Sequence, residues 1–152
     1  PSASEAGVPT FIDRYVHEVS EEQEQNFMKM GLGKFIEMAQ TDSGKENASD
    51  LTSEDLEPVL AEALKKRSEE EEAAMFEAMT AYDKAMEEGT PAELDAAFAR
   101  RAFATQMRDD VIWAYKNSEV VGEEVLAYLP VPGEYIGCGD LNELTGGKAW
   151  SI

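Results

Sequence analysis

An all-α fold is predicted from three observations. Apolar residues recur at helical spacing through most of the chain, helix-start signals precede most of those stretches, and strand-like alternation is almost absent. The predicted architecture is a single-domain helical bundle, with a helical body over about residues 8–128 and an irregular apolar tail over 129–152. A chain of 152 residues suits one domain, large enough to bury roughly two thirds of the surface its unfolded form exposes.

The first helix is marked by Val8, Ile12, Tyr15 and Val19, with Pro9 suited to a first turn. Ser20 followed by Gln23 reads as a capping box that opens the second. Its stripe is Met28, Leu32, Phe35 and Ala39, interrupted by Gly31 and Gly33, which predicts a kink or a close backbone approach. Residues 41–51 are polar and aperiodic and read as a solvated loop. A third helix starts near Thr52 or Ser53, with Glu54, Asp55 and Glu57 favourable in its first turn and Leu56, Val59, Leu60 and Leu64 as its apolar side.

Residues 69–88 are the most strongly helical by composition, with a stripe of Met75, Met79, Tyr82 and Met86 and a terminating Gly89. Thr90, Pro91 and Glu93 form the next start signal for a helix that reaches Asn117. Leu94 and Phe98 lie on one face of it, whereas Phe103, Met107, Val111 and Ala114 fall roughly opposite at about 100° per residue. A helix apolar on two sides is central to a bundle or faces a partner. A short helix is expected around residues 119–128. The tail then has five Gly and two Pro in 24 residues, yet keeps Val131, Tyr135, Ile136, Leu141, Leu144, Trp150 and Ile152. A segment both irregular and apolar is expected to lie on a surface, its own or another protein's.

The charge balance narrows the function. There are 32 acidic against 13 basic residues, a formal net charge of −19. Neutralising phosphates needs a basic surface, so nucleic acid and anionic membrane are poor partners. No apolar run approaches the roughly 18 residues of a spanning helix, so no direct membrane insertion is expected. The hydrophobic fraction of 43% is too high for a wholly disordered acidic chain. The chain begins at Pro1 and not Met, which either trimming or cleavage of a leader produces.

Candidate chemistry is sparse. One Cys (Cys138) cannot close an internal disulfide, and one His (His17) leaves few routes to acid–base or metal chemistry. No Glu lies three residues before His17, so the carboxylate–histidine pattern of di-iron bundles is absent. The many carboxylates read as solvated helical faces, with no catalytic pair among them. His17, near a helix end, suits the terminal carbonyls or the helix dipole. Lys65–Arg67 and Arg100–Arg101 read as ion-pair partners for neighbouring acidic helices. The glycine turns of the tail lack the spacing that cradles phosphate. Catalytic, cofactor-binding and metal residues are therefore assigned to none. Cys138, set in YIGCGD, is either an ordinary free thiol or an intermolecular cross-link.

Two stretches carry a resemblance. They are GVPTFIDRYV (Gly7–Val16) and MRDDVIWAYKNSEVVGEEVLAYLPVPGEYIGC (Met107–Cys138), followed by Trp150. They resemble the gluconate 2-dehydrogenase subunit 3 family, which includes the gamma subunits of lactose and glucoside 3-dehydrogenases. PVPGEYIGC is the most specific part, and about residues 40–90 add little. The resemblance implies a non-catalytic helical subunit of a periplasmic, FAD-dependent sugar or sugar-acid dehydrogenase. It implies that FAD sits in a large flavoprotein subunit of the glucose–methanol–choline type, with electrons passing to a cytochrome c that holds haem. The small subunit of such a complex often carries a twin-arginine leader and escorts the loaded flavoprotein; no such leader stands at Pro1.

On this reading the partner interface comprises Phe103, Met107, Pro132, Gly133, Tyr135, Cys138 and Trp150, with Cys138 as an intersubunit disulfide. Two other readings stand beside it: a free-standing acidic helical binding module or chaperone for cationic clients, and an enzyme acting through carboxylates that no motif singles out.

Overall fold

The structure, a computed structural model, describes residues 1–90, 93–127 and 138–150. Those residues form six α-helices: α1 (Val8–Glu18), α2 (Glu22–Ser43), α3 (Ser53–Leu64), α4 (Glu69–Glu87), α5 (Ala96–Lys116) and α6 (Leu141–Thr145). A 3-10 turn spans Ala48–Asp50 and a π-turn spans Val121–Val125. Among the described residues there is no strand, only one isolated parallel bridge between Ala127 and Trp150. The all-α prediction holds.

The chain divides into two compact units: Glu21–Met107, and Pro1–Ser20 together with Arg108–Ile152. Helix α5 supplies Ala96–Met107 to the first and Arg108–Lys116 to the second.

In the unit Glu21–Met107, helix starts follow local capping chemistry. The Asp55 carboxylate accepts from Thr52 N–H at 2.6 Å and from the Thr52 hydroxyl at 2.8 Å, which anchors α3 where the sequence places it. At α4 the Glu71 carboxylate accepts from Ser68 N–H at 2.9 Å and the Ser68 hydroxyl oxygen accepts from Glu71 N–H at 3.2 Å. At α2 the box is shifted: the Glu24 carboxylate accepts from Glu21 N–H at 3.2 Å, so Glu21 and not Ser20 is the cap. Glutamate offers the same acceptor one residue later. At α5 the correction is larger. The Asp95 carboxylate accepts from Ala97 and Phe98 N–H, which makes Asp95 the starting residue. Thr90 instead donates its hydroxyl to Ala85 C=O behind α4, and Pro91 lies outside the described residues. Gly89 ends α4 with φ +67°, a left-handed conformation that glycine adopts without strain.

The core of this unit joins Phe35 and Ala39 of α2, Val59 of α3 and Phe103 of α5, flanked by Met28, Met38, Leu51, Leu56 and Met107. The Phe35 and Phe103 ring centroids are 5.8 Å apart and tilted by 58°, an edge-to-face packing. Two sequence expectations change here. Leu32 is exposed and Gly31 takes the buried place on α2. On α3, Ala63 is buried and Leu60 exposed. Only small residues fit where helix backbones approach closely. Helix α4 has no buried residue, and its Phe76 is 72% exposed.

Of the basic clusters, Lys65, Arg67 and Arg101 form ion pairs. Lys65 bonds Glu62 at 2.6 Å, Arg67 lies near Glu62 and Glu71, and Arg101 pairs with Glu72. Arg101 also donates to the Ala63 and Lys65 carbonyls, each at 3.0 Å, and so caps the C-terminus of α3.

Candidate functional site

In the unit that contains the chain's N-terminal residues, Gly7 opens α1 in the left-handed conformation, φ +73°, and its carbonyl accepts from Phe11 N–H at 3.1 Å. A turn precedes it: the Glu5 carboxylate accepts from Ser2 N–H at 2.6 Å, which holds the Glu5 carboxyl below its usual range. Tyr115 of α5 donates its hydroxyl to the Pro1 carbonyl at 2.7 Å. Val8 and Ile12 of α1 are buried, as is Ala114 of α5. Tyr15 and Val19, expected to continue the buried stripe, are exposed instead.

The reason lies one row round the helix. Phe11 and Tyr15 are four residues apart and stack on each other at 6.0 Å. Trp113 of α5 joins them, with centroids 5.5 Å from Phe11 and 5.7 Å from Tyr15. The three rings support one another, yet Phe11 is 44%, Tyr15 39% and Trp113 49% exposed. Val19 and Ile112 are exposed as well. Beside the trio an open groove of about 650 Å³ runs along α1, lined by Thr10, Phe11, Arg14, Tyr15, Glu18 and Val19 among others. Arg14 and Glu18 pair at 3.3 Å at its edge. Chemically this is a preformed aromatic surface with compensated charge, suited to docking an apolar segment. Sequence reasoning left Phe11 and Trp113 out of the candidate residues; the i, i+4 aromatic pair on α1 was the available signal.

The residues singled out from the sequence fare differently. Phe103 is 7% exposed and packs on Phe35, and Met107 packs against the same core. Within this chain the Phe103 ring therefore packs inward, in the core of its own unit. Cys138 is exposed and free of any disulfide within the chain. Trp150 is exposed and joined to Ala127 by the parallel bridge, where Ala127 N–H donates to Ala149 C=O at 2.7 Å. Lys148 adds a bond to the Glu124 carbonyl at 3.2 Å. Pro132, Gly133 and Tyr135 lie outside the described residues.

The tail also differs from expectation in holding a helix. Asp140 accepts from Asn142 and Glu143 N–H to start α6, and Leu141 and Leu144 on it are exposed. His17 sits in the last turn of α1, the place read from the sequence. Among the described residues, no three His, Cys, Asp or Glu side chains converge to hold a metal, and no helix is long and apolar enough to cross a membrane.

Comparison with known proteins adds one match. The family model for gluconate 2-dehydrogenase subunit 3 matches residues 1–133. No curated protein and no solved structure matches the chain.

Proposed function

The chain belongs to the gluconate 2-dehydrogenase subunit 3 family, and from that premise we propose that it is the small, non-catalytic subunit of a periplasmic, FAD-dependent sugar or glycoside dehydrogenase. In this reading it stabilises and escorts the larger flavoprotein subunit. Membership supports the coarse part, a subunit of a multi-subunit dehydrogenase. The observation that carries the docking role is the half-exposed trio of Phe11, Tyr15 and Trp113, since monomeric proteins rarely leave a contiguous cluster of three aromatic rings to water.

The flavin is assigned to the larger subunit, of the glucose–methanol–choline type. The groove of this chain is walled by α1 and its flanks, a shape that suits a protein segment better than an enclosed dinucleotide. Electrons would leave the flavin for a cytochrome c. The role left to this chain is burial of apolar surface on its partner, which stabilises whatever it binds by mass action. Cys138, exposed and without an internal partner, is placed by this reading as a cross-link to the larger subunit in an oxidising compartment. Trp150, near it in the tail, serves as a further anchor.

The test is co-expression of the flavoprotein with and without this chain. Soluble, flavin-loaded flavoprotein should rise several-fold with it, and the two chains should co-purify. A flavoprotein that folds, loads and works equally well alone overturns the reading.

A further inference from the structure

We propose that the Phe11–Tyr15–Trp113 face is the seat of the larger dehydrogenase subunit, and that it receives an apolar segment carried on a basic surface of that subunit. The proposal rests on the function proposed above and specifies where and by what chemistry the partner binds.

Size argues first. Three half-exposed aromatic rings with Val19 on the same groove leave an apolar area on the order of 300–400 Å². A standard interface takes about 800 Å² from each partner. The face is therefore the centre of an interface whose rim is the surrounding polar surface, which requires a broad partner and not a small ligand.

Charge argues second. Two charge pairs lie on the helices that build the face: Arg14 with Glu18 on α1, and Arg108 with Asp109 at 2.9 Å on α5. Covering such a pair does not strand a lone charge. The chain as a whole carries −19, so two copies repel at long range while a basic surface is drawn in. The occupant is accordingly a different, basic protein surface and not a second copy.

Preorganisation argues third. The rings already hold one another at 5.5–6.0 Å, so little side-chain freedom is lost on docking. Aromatic anchors of this kind govern dissociation, whereas the long-range field governs association.

The experiment measures binding kinetics between this chain and the larger subunit. Phe11→Ser removes an anchor. Thr10→Arg keeps the trio intact but fills the groove from an exposed position, and Phe76→Ser is the control on an exposed aromatic elsewhere. Phe11→Ser and Thr10→Arg should each speed dissociation at least about tenfold, with Phe76→Ser within about twofold of the parent. The parent association rate should fall at least about tenfold between roughly 50 and 500 mM salt. Unchanged melting temperature of Thr10→Arg confirms that the loss is one of binding.

If Thr10→Arg and Phe11→Ser dissociate like the parent, the face is not the seat, while the subunit assignment survives. An association rate indifferent to salt overturns the basic partner surface. A parent dimer in sedimentation that Thr10→Arg converts to monomer assigns the face to a second copy and overturns the proposal. Failure of the parent chain to bind the larger subunit at all overturns the proposed function itself.

Discussion

Gly31 of α2 lies directly beneath Phe103 of α5. A Cβ placed on Gly31 would stand 2.5 Å from Phe103 Cβ and 3.2 Å from the Ala99 carbonyl oxygen. Neither obstacle is the free end of a flexible side chain, so the helices must separate to admit a methyl group. Gly31→Ala should therefore destabilise the protein by about 1–3 kcal/mol, overpacking outweighing the gain of up to ~1 kcal/mol in helix propensity. At Gly33, two residues on, a Cβ would meet nothing within 4 Å; Gly33→Ala should stabilise by about 0.5–1 kcal/mol. Urea denaturation of the pair checks both signs, and a stabilising Gly31→Ala would contradict the close approach.

Phe103 supplies a second contrast. Its ring is enclosed against Phe35, whereas Phe76 on α4 is open to water. Phe103→Ala should cost about 3–5 kcal/mol by lost burial and a residual cavity. Phe76→Ala should stay within about 0.5 kcal/mol of the parent. Thermal melts of the isolated chain distinguish the core residue from the surface one, and equal losses would contradict the assigned burial.

These residues also show what could be read from the sequence. The starts of α3 and α4 were legible from composition, the acidic first turn of α3 and the helix-forming run from residue 69, and the structure fixes both with boxes that need only their own four residues, Thr52 with Asp55 and Ser68 with Glu71. The start of α5 was not, because Thr90 and Asp95 offer the same acceptor chemistry and the backbone that selects Asp95 is decided beyond the motif. Which residue of α2 is buried depends on what packs against it. Leucine at 32 has the higher hydropathy, but the approach of Phe103 admits only Gly31. The docking face was hidden for a similar reason. The Phe11–Tyr15 pair is visible at helical spacing, but nothing local brings residue 113 to it. Family resemblance identified both stretches without revealing that their rings meet.

Acid should loosen the α2–α3 connection. Lys45 holds the Asp55 carboxylate at 2.5 Å, and Thr52 donates its N–H and hydroxyl to the same group. The Lys45 bond first, and then those from Thr52, lower the Asp55 pKa from 3.8 to about 2. Glu62, bonded by Lys65, and Glu71, bonded by Ser68, are lowered in the same sense. A carboxyl depressed in the folded state binds protons more tightly once unfolded. Its contribution is therefore fully present above the unfolded pKa and is lost as pH falls through 3.8 towards 2. Melting temperature should drop over that window, and Asp55→Asn should flatten the drop while lowering stability at neutral pH. A variant with the parent's acid profile would remove Asp55 from this role.

Arg101 joins three elements through one side chain, donating to the Ala63 and Lys65 carbonyls and pairing with Glu72. Arg101→Met keeps much of the stem but removes the donors, leaving two carbonyls at the end of α3 short of partners. The expected loss is about 1.5–3 kcal/mol, the range for hydrogen bonds to a charged group. Arg101→Lys should recover only part of it, since an ammonium cannot span both carbonyls and the carboxylate in the planar fork that arginine provides. Chemical denaturation of the two variants decides the point; full recovery by lysine would reduce the interaction to charge alone.

Cys138 gives the last prediction. An exposed thiol with no second Cys in the chain is open to a partner's thiol, provided the two Cα atoms come within about 4.4–6.8 Å. In the isolated, reduced chain it should take up one equivalent of a maleimide. In the complex purified without reductant it should resist the reagent, and a non-reducing gel should show a band at the summed mass that reductant dissolves. Cys138→Ser should then weaken the complex less than Thr10→Arg does, because a cross-link restrains a partner already seated, whereas the groove variant opposes the seating itself. A Cys138 that is fully alkylatable in the native complex would remove the cross-link and leave the aromatic face to hold the partner unaided.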